Sequence, residues 1–221
     1  NRIATHCDQG RTREAQHLHR SLCALAEVPN SQPDTIHHRA TGSFNLAAHL
    51  AQTGASSKAI ELYFDLASFT DNRPPSADLQ DVLADAGFAL ITLFGDREML
   101  AAAETVYMDL RQRAAASIQM RQKTMHAAFN LMTDFCRDGA IGKARHIYDD
   151  ILAASAAEPA NSNMALLHAK ACTNLLLTAD ALDEEAHADL LCQELTALVA
   201  EWPDEPEIWE IAARLSTQDG A

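Results

Sequence analysis

Ala128, Leu131, Met132 and Phe135 recur with the 3.6-residue period of a helix, and Ala144, Ile147, Tyr148 and Ile151 form a second such stripe. Gly139 stands between them. Glycine takes the left-handed conformation that ends a helix without a Cβ penalty. Residues 129–151 therefore predict two helices folded back on one another. Small Ala144 lets the backbones approach, and Tyr148 fills the wider gap one turn on.

The second stripe returns along the whole chain. It reads Ala15/Leu18/His19/Leu22, Ala59/Leu62/Tyr63/Leu66, Ala103/Val106/Tyr107/Leu110, Ala144/Ile147/Tyr148/Ile151 and Ala188/Leu191/Cys192/Leu195, with the alanines 44, 44, 41 and 44 residues apart. Fifteen residues before the last four alanines lie Phe44, Phe88, Phe129 and Thr173. Gly10, Gly54 and Gly139 sit five before three of them. Pro29, Pro74, Pro159 and Pro203 follow four of them by fourteen or fifteen, and only the Ala103 repeat lacks that proline. A fixed period in this range is the mark of a stack in which each repeat buries its apolar face on its neighbours. The expected fold is all-α, one solenoid domain over residues 1–221 with about five antiparallel helix hairpins (1–28, 33–70, 76–115, 120–155, 162–202) and a half-repeat, 205–221.

In chain order, residues 1–10 predict the tail of a first helix, then a helix over 13–26 with Thr12 as its N-cap. Helices over 35–52 and 58–69 follow, capped at the second by Ser56 or Ser57, and Pro74-Pro75 forbids a continuous helix beyond. The third hairpin, 77–94 and 97–115, turns at Gly95-Asp96, three residues early. A proline-free helix over 116–135 accounts for the 41-residue spacing. Helices over 164–178 and 183–201 make the fifth hairpin. A last one begins at 207, with Trp209 eleven residues before Gly220, where another turn is expected. Both ends look like cut ends, so the expectation is a piece of a longer protein.

Composition narrows the function. The net charge of −14 opposes nucleic-acid binding, which needs a basic footprint. Residues 149–221 hold fifteen acids against Lys170 and Arg214, a net −13, and leave −1 for the rest. Arg137, Lys143 and Arg145 form a basic flank before that acidic end, a candidate electrostatic patch; solubility of exposed helix faces explains the same charges. No apolar run reaches the ~20 residues of a membrane span, and no signal peptide opens the chain. Five cysteines at no framework spacing, with Cys172 and Cys192 at core-type positions, favour buried thiols and a reducing compartment, so a cytoplasmic location is expected.

Glycine, then alanine five on, then tyrosine four after that, then a proline past the second helix, resembles the tetratricopeptide repeat; Gly54-Ala59-Tyr63 and Gly139-Ala144-Tyr148 carry the resemblance, and Trp209, Ala213 and Gly220 match its first helix. The 41- to 44-residue period is longer than the family's 34. It is similar to the repeats of kinesin light chains, whose Pro-Asp-Thr and Asn-Leu-Ala patterns stand here at Pro33-Asp34-Thr35 and Asn45-Leu46-Ala47, and of bacterial regulators with superhelical sensor domains. The resemblance implies a right-handed superhelix whose first helices line a concave groove for a partner peptide. Phe44, Asn45, Phe88, Phe129, Asn130 and Asn174 occupy the matching positions. The asparagines can donate to and accept from a peptide backbone, or pair within the stack. The phenylalanines form either an apolar floor or core between repeats.

No phosphate loop, nucleophile elbow or metalloprotease helix is present, and Asp149-Asp150 and Glu184-Glu185 read as solvated helix faces, so no enzyme and no cofactor is expected. His17, His19 and Cys23, with His6 and Cys7 across the turn, are the one metal-like constellation. Their spacing matches no common zinc module, and His19 takes the slot that tyrosine fills elsewhere, so no metal is expected. The expected function is a non-enzymatic protein- or peptide-binding scaffold, with self-association as a further possibility. The alternative is a ligand-sensing segment of a larger multidomain protein such as a bacterial transcription regulator.

Overall fold

The computed structural model describes residues 2–28 and 31–218, excepting the side chains of 215–218, so Pro29 and Gly220 lie outside the described residues. The described chain is all-helical, with no strand. It divides into two compact bodies, residues 1–127 and 128–221. The helices are α1 (Arg2–Asp8), α2 (Thr12–Ala26), α3 (Pro33–Gln52), α4 (Ser56–Asp71), α5 (Ala77–Gly95), α6 (Leu100–Arg113), α7 (Ile118–Arg137), α8 (Ile141–Ala157), α9 (Ser162–Ala181), α10 (Glu185–Glu201) and α11 (Pro206–Gln218). A single 3-10 turn, Ala114–Ala116, joins α6 to α7.

One turn is used five times. Gly10, Gly54, Glu98, Gly139 and Asp183 are left-handed, at φ 69°, 85°, 59°, 72° and 58°. Each stands five residues before its repeat's alanine. The next residue closes a six-residue ring back to the preceding helix: Arg11 to His6, Ala55 to Leu50, Met99 to Phe94, Ala140 to Phe135 and Glu184 to Ala179, all at 2.8–2.9 Å. This is the Schellman arrangement, which satisfies the last carbonyls of the first helix. The same residue serves as N-cap of the second helix, with φ between −81° and −92° and ψ between 52° and 66°.

Three expectations change. The third hairpin does not turn early: α5 ends at Gly95, but the left-handed residue is Glu98, in the same register as the glycines. Thr12, Ser56 and Ser57 do not cap. The cap residues are Arg11 and Ala55, without side-chain bonds, because the Schellman turn fixes the helix start from the backbone alone. The helix over 116–135 is broken at its start, since Ser117 is extended (φ −155°, ψ 163°) and its hydroxyl accepts from the Met120 N–H at 2.9 Å. Ser117 lies fourteen residues after Ala103, where other repeats place proline. A serine N-cap thus does there what a missing proline N–H does elsewhere.

In the first body α1, α3 and α5 lie side by side, each paired with its own return helix, α2, α4 or α6. Helices α2 and α4 pack in turn on α3 and α5. In the second body α8 packs on α9, α9 pairs with α10, and α11 packs on both α9 and α10. All five stripe alanines are buried, Ala15, Ala59, Ala103 and Ala144 completely. Tyr63, Tyr107 and Tyr148 are buried one turn on. Cys192, at the tyrosine position of the fifth repeat, is exposed rather than core, whereas Cys172 is fully buried. Gly87 allows close packing: a Cβ there would lie 3.1 Å from Leu110, tighter than ordinary contact, and 3.4 Å from the Tyr63 ring.

Two stability outcomes follow from the turn and the alanine. A side chain in the left-handed conformation costs ~1–2 kcal/mol, partly offset by glycine's greater freedom when unfolded, so Glu98→Gly and Asp183→Gly should each stabilise by ~0.5–1 kcal/mol in denaturant titrations. Gly139→Ala, whose Cβ meets nothing within 4 Å, should lose a similar amount. Ala59→Leu or Ala144→Leu should overpack a helix crossing and cost ~1–3 kcal/mol by the same measurement.

Candidate functional site

The candidate groove residues all sit on first helices and all are half-buried: Phe44 and Asn45 on α3, Phe88 on α5, Phe129 and Asn130 on α7, and Asn174 on α9. The asparagines do not have equal freedom. Asn174 donates to the Thr133 hydroxyl on α7 at 2.9 Å, so its carboxamide ties two first helices together. Asn45 makes no such bond among the described residues. The residue corresponding to Thr133 one repeat before Asn45 is Ala4, which carries no acceptor. Lys123 lies over the Phe88 ring, with Nζ 5.5 Å from its centroid, and pairs with Asp85 at 2.8 Å.

The basic flank is largely engaged. Arg145 pairs with Glu184, Arg137 donates to Asp134 at 3.0 Å, and Lys143 Nζ lies 5.0 Å from the centroid of the Phe135 ring. Arg137 stays open, with 72% of its side chain exposed, against 36% for Arg145. The histidine-cysteine constellation is divided too. His19 is buried and its Nε2 lies 2.8 Å from the Ser43 hydroxyl, Cys23 Sγ approaches the same ring at 3.6 Å, Cys7 is buried, and His17 is exposed. Among the described residues no three such side chains converge on a metal position.

The most organised polar chemistry was missed by the sequence reading. The Tyr63 hydroxyl on α4 donates to Asp109 on α6 at 2.8 Å, and Arg113 donates to the same oxygen at 2.8 Å. Arg113 also forks onto Asp71 at 2.6 and 3.0 Å. In the second body, His168 Nε2 on α9 lies 2.9 Å from the Tyr148 hydroxyl and 3.0 Å from Glu194 on α10. His168 thus stands between the Tyr148 hydroxyl and the Glu194 carboxylate. Tyr63 to Asp109 and Tyr148 to Glu194 both span 46 residues. Arg39 to Asp65 (3.2 Å) and His168 to Glu194 both span 26. The sequence does carry the signal. An acid stands six residues after each of the last four alanines, at Asp65, Asp109, Asp150 and Glu194.

Of these acids, Asp109 and Glu194 are half-buried acceptors, while Asp65 is exposed and paired with Arg39. The His168 hydrogen bond, with a smaller contribution from the nearby Tyr148 hydroxyl, holds the Glu194 carboxyl below its ordinary range against the opposing effect of burial. Burial and the adjacent Asp109 raise the Tyr63 hydroxyl, and burial first of all raises Tyr148, so both stay protonated donors. Burial pushes the Cys172 thiol up to about 12, and its Sγ donates to the Leu191 carbonyl at 3.3 Å. A thiol so held is no nucleophile. Every member of the cluster is satisfied by a neighbouring helix, which is the signature of a structural joint.

Tyr63→Phe should cost ~1 kcal/mol or more, because Asp109 loses a donor while remaining part-buried. Because the Glu194 pKa is lowered by folding, its contribution is complete above the ordinary glutamate range and is lost as pH falls through the lower folded value. The difference in melting temperature between wild type and Glu194→Gln should therefore be largest near neutrality and shrink below about pH 4. No family model, curated protein or solved structure matches the chain.

Proposed function

We propose that the chain is a non-enzymatic scaffold that binds a protein or peptide along its first helices, as a tetratricopeptide-like superhelix with a concave groove. The observation that carries this reading is the division of labour between the two helices of each hairpin. Return helices bury their tyrosines and spend their polar atoms on joints between repeats. First helices instead keep Phe44, Asn45 and Phe88 half-buried in neighbouring helices α3 and α5 of one body. An apolar ring beside a carboxamide with no partner suits an extended peptide, whose backbone needs both a donor and an acceptor. The titratable groups support the same reading, since Cys172, Tyr63 and Tyr148 are held protonated and hydrogen-bonded within the helices. Asn45 is the best candidate contact, and Asn174, in the second body, ties α7 to α9.

Peptides selected from a random displayed library should perturb the amide resonances around Phe44, Asn45 and Phe88. Asn45→Ala should weaken the selected peptides about tenfold, a loss of ~1.4 kcal/mol. Its melting temperature should stay within the ~0.5 kcal/mol range of a surface substitution. Asn174→Ala should lower stability by ~1 kcal/mol through loss of the bond to Thr133. Selected peptides that map elsewhere and ignore Asn45→Ala would defeat the groove reading.

A further inference from the structure

The joint between successive return helices is closed at one position of the first body and open at another. Between α4 and α6 it is closed by the buried Tyr63, whose hydroxyl donates to Asp109; Ile60 stands one turn before it on α4, and the exposed Phe64 ring lies edge-on to it. The corresponding residues one repeat earlier, on α2, are Gln16, His19 and Arg20. Three apolar or aromatic side chains are thus replaced by three polar ones. The result is visible in the packing. Helices α4 and α6 are in contact, α2 and α4 less so, and a cleft of about 500 Å³ lies between α2, α3 and α4. That volume is in the range of small-ligand sites. Val106 on α6 is completely buried, while its counterpart Leu62 on α4 is half-buried in the cleft wall.

The carboxylate that would receive a tyrosine is nonetheless in place. Asp65 lines this cleft at the position that Asp109 holds one repeat later. Its Oδ2 is 3.2 Å from Arg39, as Asp109 Oδ2 is 2.8 Å from Arg113 while also accepting from Tyr63. His19 turns away to Ser43. The floor is Leu46, Leu50 and Leu62, and the rim carries Arg20 and Lys58 with Glu61. We infer that this cleft takes the phenol side chain of a tyrosine from a protein partner. The ring rests on the three leucines and its hydroxyl donates to Asp65, reproducing in trans the contact that Tyr63 makes with Asp109 within the chain. The rim, with charges of both signs, suits the peptide groups that flank the inserted residue. The site lies on the return-helix side and is separate from the proposed groove on the first helices.

The test titrates N-acetyl-tyrosine amide into the full chain and follows amide resonances. Shifts should cluster on α2, the end of α3 and α4, and N-acetyl-phenylalanine amide should bind at least fivefold more weakly for want of the hydroxyl. The triple variant Gln16→Ile, His19→Tyr, Arg20→Phe restores the closed joint; it should melt higher than wild type and lose the tyrosine-dependent shifts. Asp65→Asn keeps the shape and removes the charge, and should weaken the tyrosine probe at least threefold with native far-UV helicity. That variant decides the matter if the triple variant does not fold. Equal binding of both probes, shifts elsewhere, or binding unchanged in Asp65→Asn would overturn the proposal.

Discussion

A tyrosine hydroxyl that reaches a carboxylate on the next hairpin is the contact on which the packing of successive repeats turns. A part-buried carboxylate is costly unless several donors meet it, and an unmet donor costs ~1–3 kcal/mol as well. Asp109 is met by Tyr63 and Arg113, and Glu194 by His168, which Tyr148 reaches in turn. Only one register of neighbouring hairpins satisfies all of these groups together. Apolar packing of alanine and leucine is less exacting, because a shifted hairpin still buries carbon on carbon. The polar joint therefore supplies specificity that the hydrophobic stripe lacks.

The turns make such joints repeatable. Each hairpin reverses through a single left-handed residue, and the residue after it both closes the first helix and opens the second. The stripe alanine then follows at a fixed distance, so the tyrosine and the acid arrive at fixed angles around the return helix. Residue identity at the turn is secondary to conformation. Glu98 and Asp183 adopt the left-handed geometry despite their Cβ atoms. The same holds for the break before α7, where the Ser117 hydroxyl takes a role that proline has elsewhere.

The scheme relaxes in two places. Asn45 holds the helical position of Asn174 without a Thr133 counterpart, since Ala4 stands there instead. His19 breaks the run of tyrosines, and a cleft lies at that joint. The basic flank of Arg137, Lys143 and Arg145 behaves differently. Its charges face Asp134, Glu184 and an aromatic ring, while Arg137 and Lys143 stay exposed.

Helical periodicity, the buried alanine stripe and the reversals at Gly10, Gly54 and Gly139 follow from sequence alone, because helix period and glycine's left-handed freedom are local properties. The position of the third turn does not, since glycine at 95 suggested a site that the tertiary register moved to Glu98. Nor does helical period decide that Cys192 faces solvent while Cys172 is core, because the same helical position is covered or bare depending on which helix follows. The acids after each alanine are plain in the sequence as spacing, yet spacing cannot say what they hold. Whether a carboxylate is solvated or clasped depends on groups 26 and 46 residues away, and only the folded chain brings those groups within 3 Å.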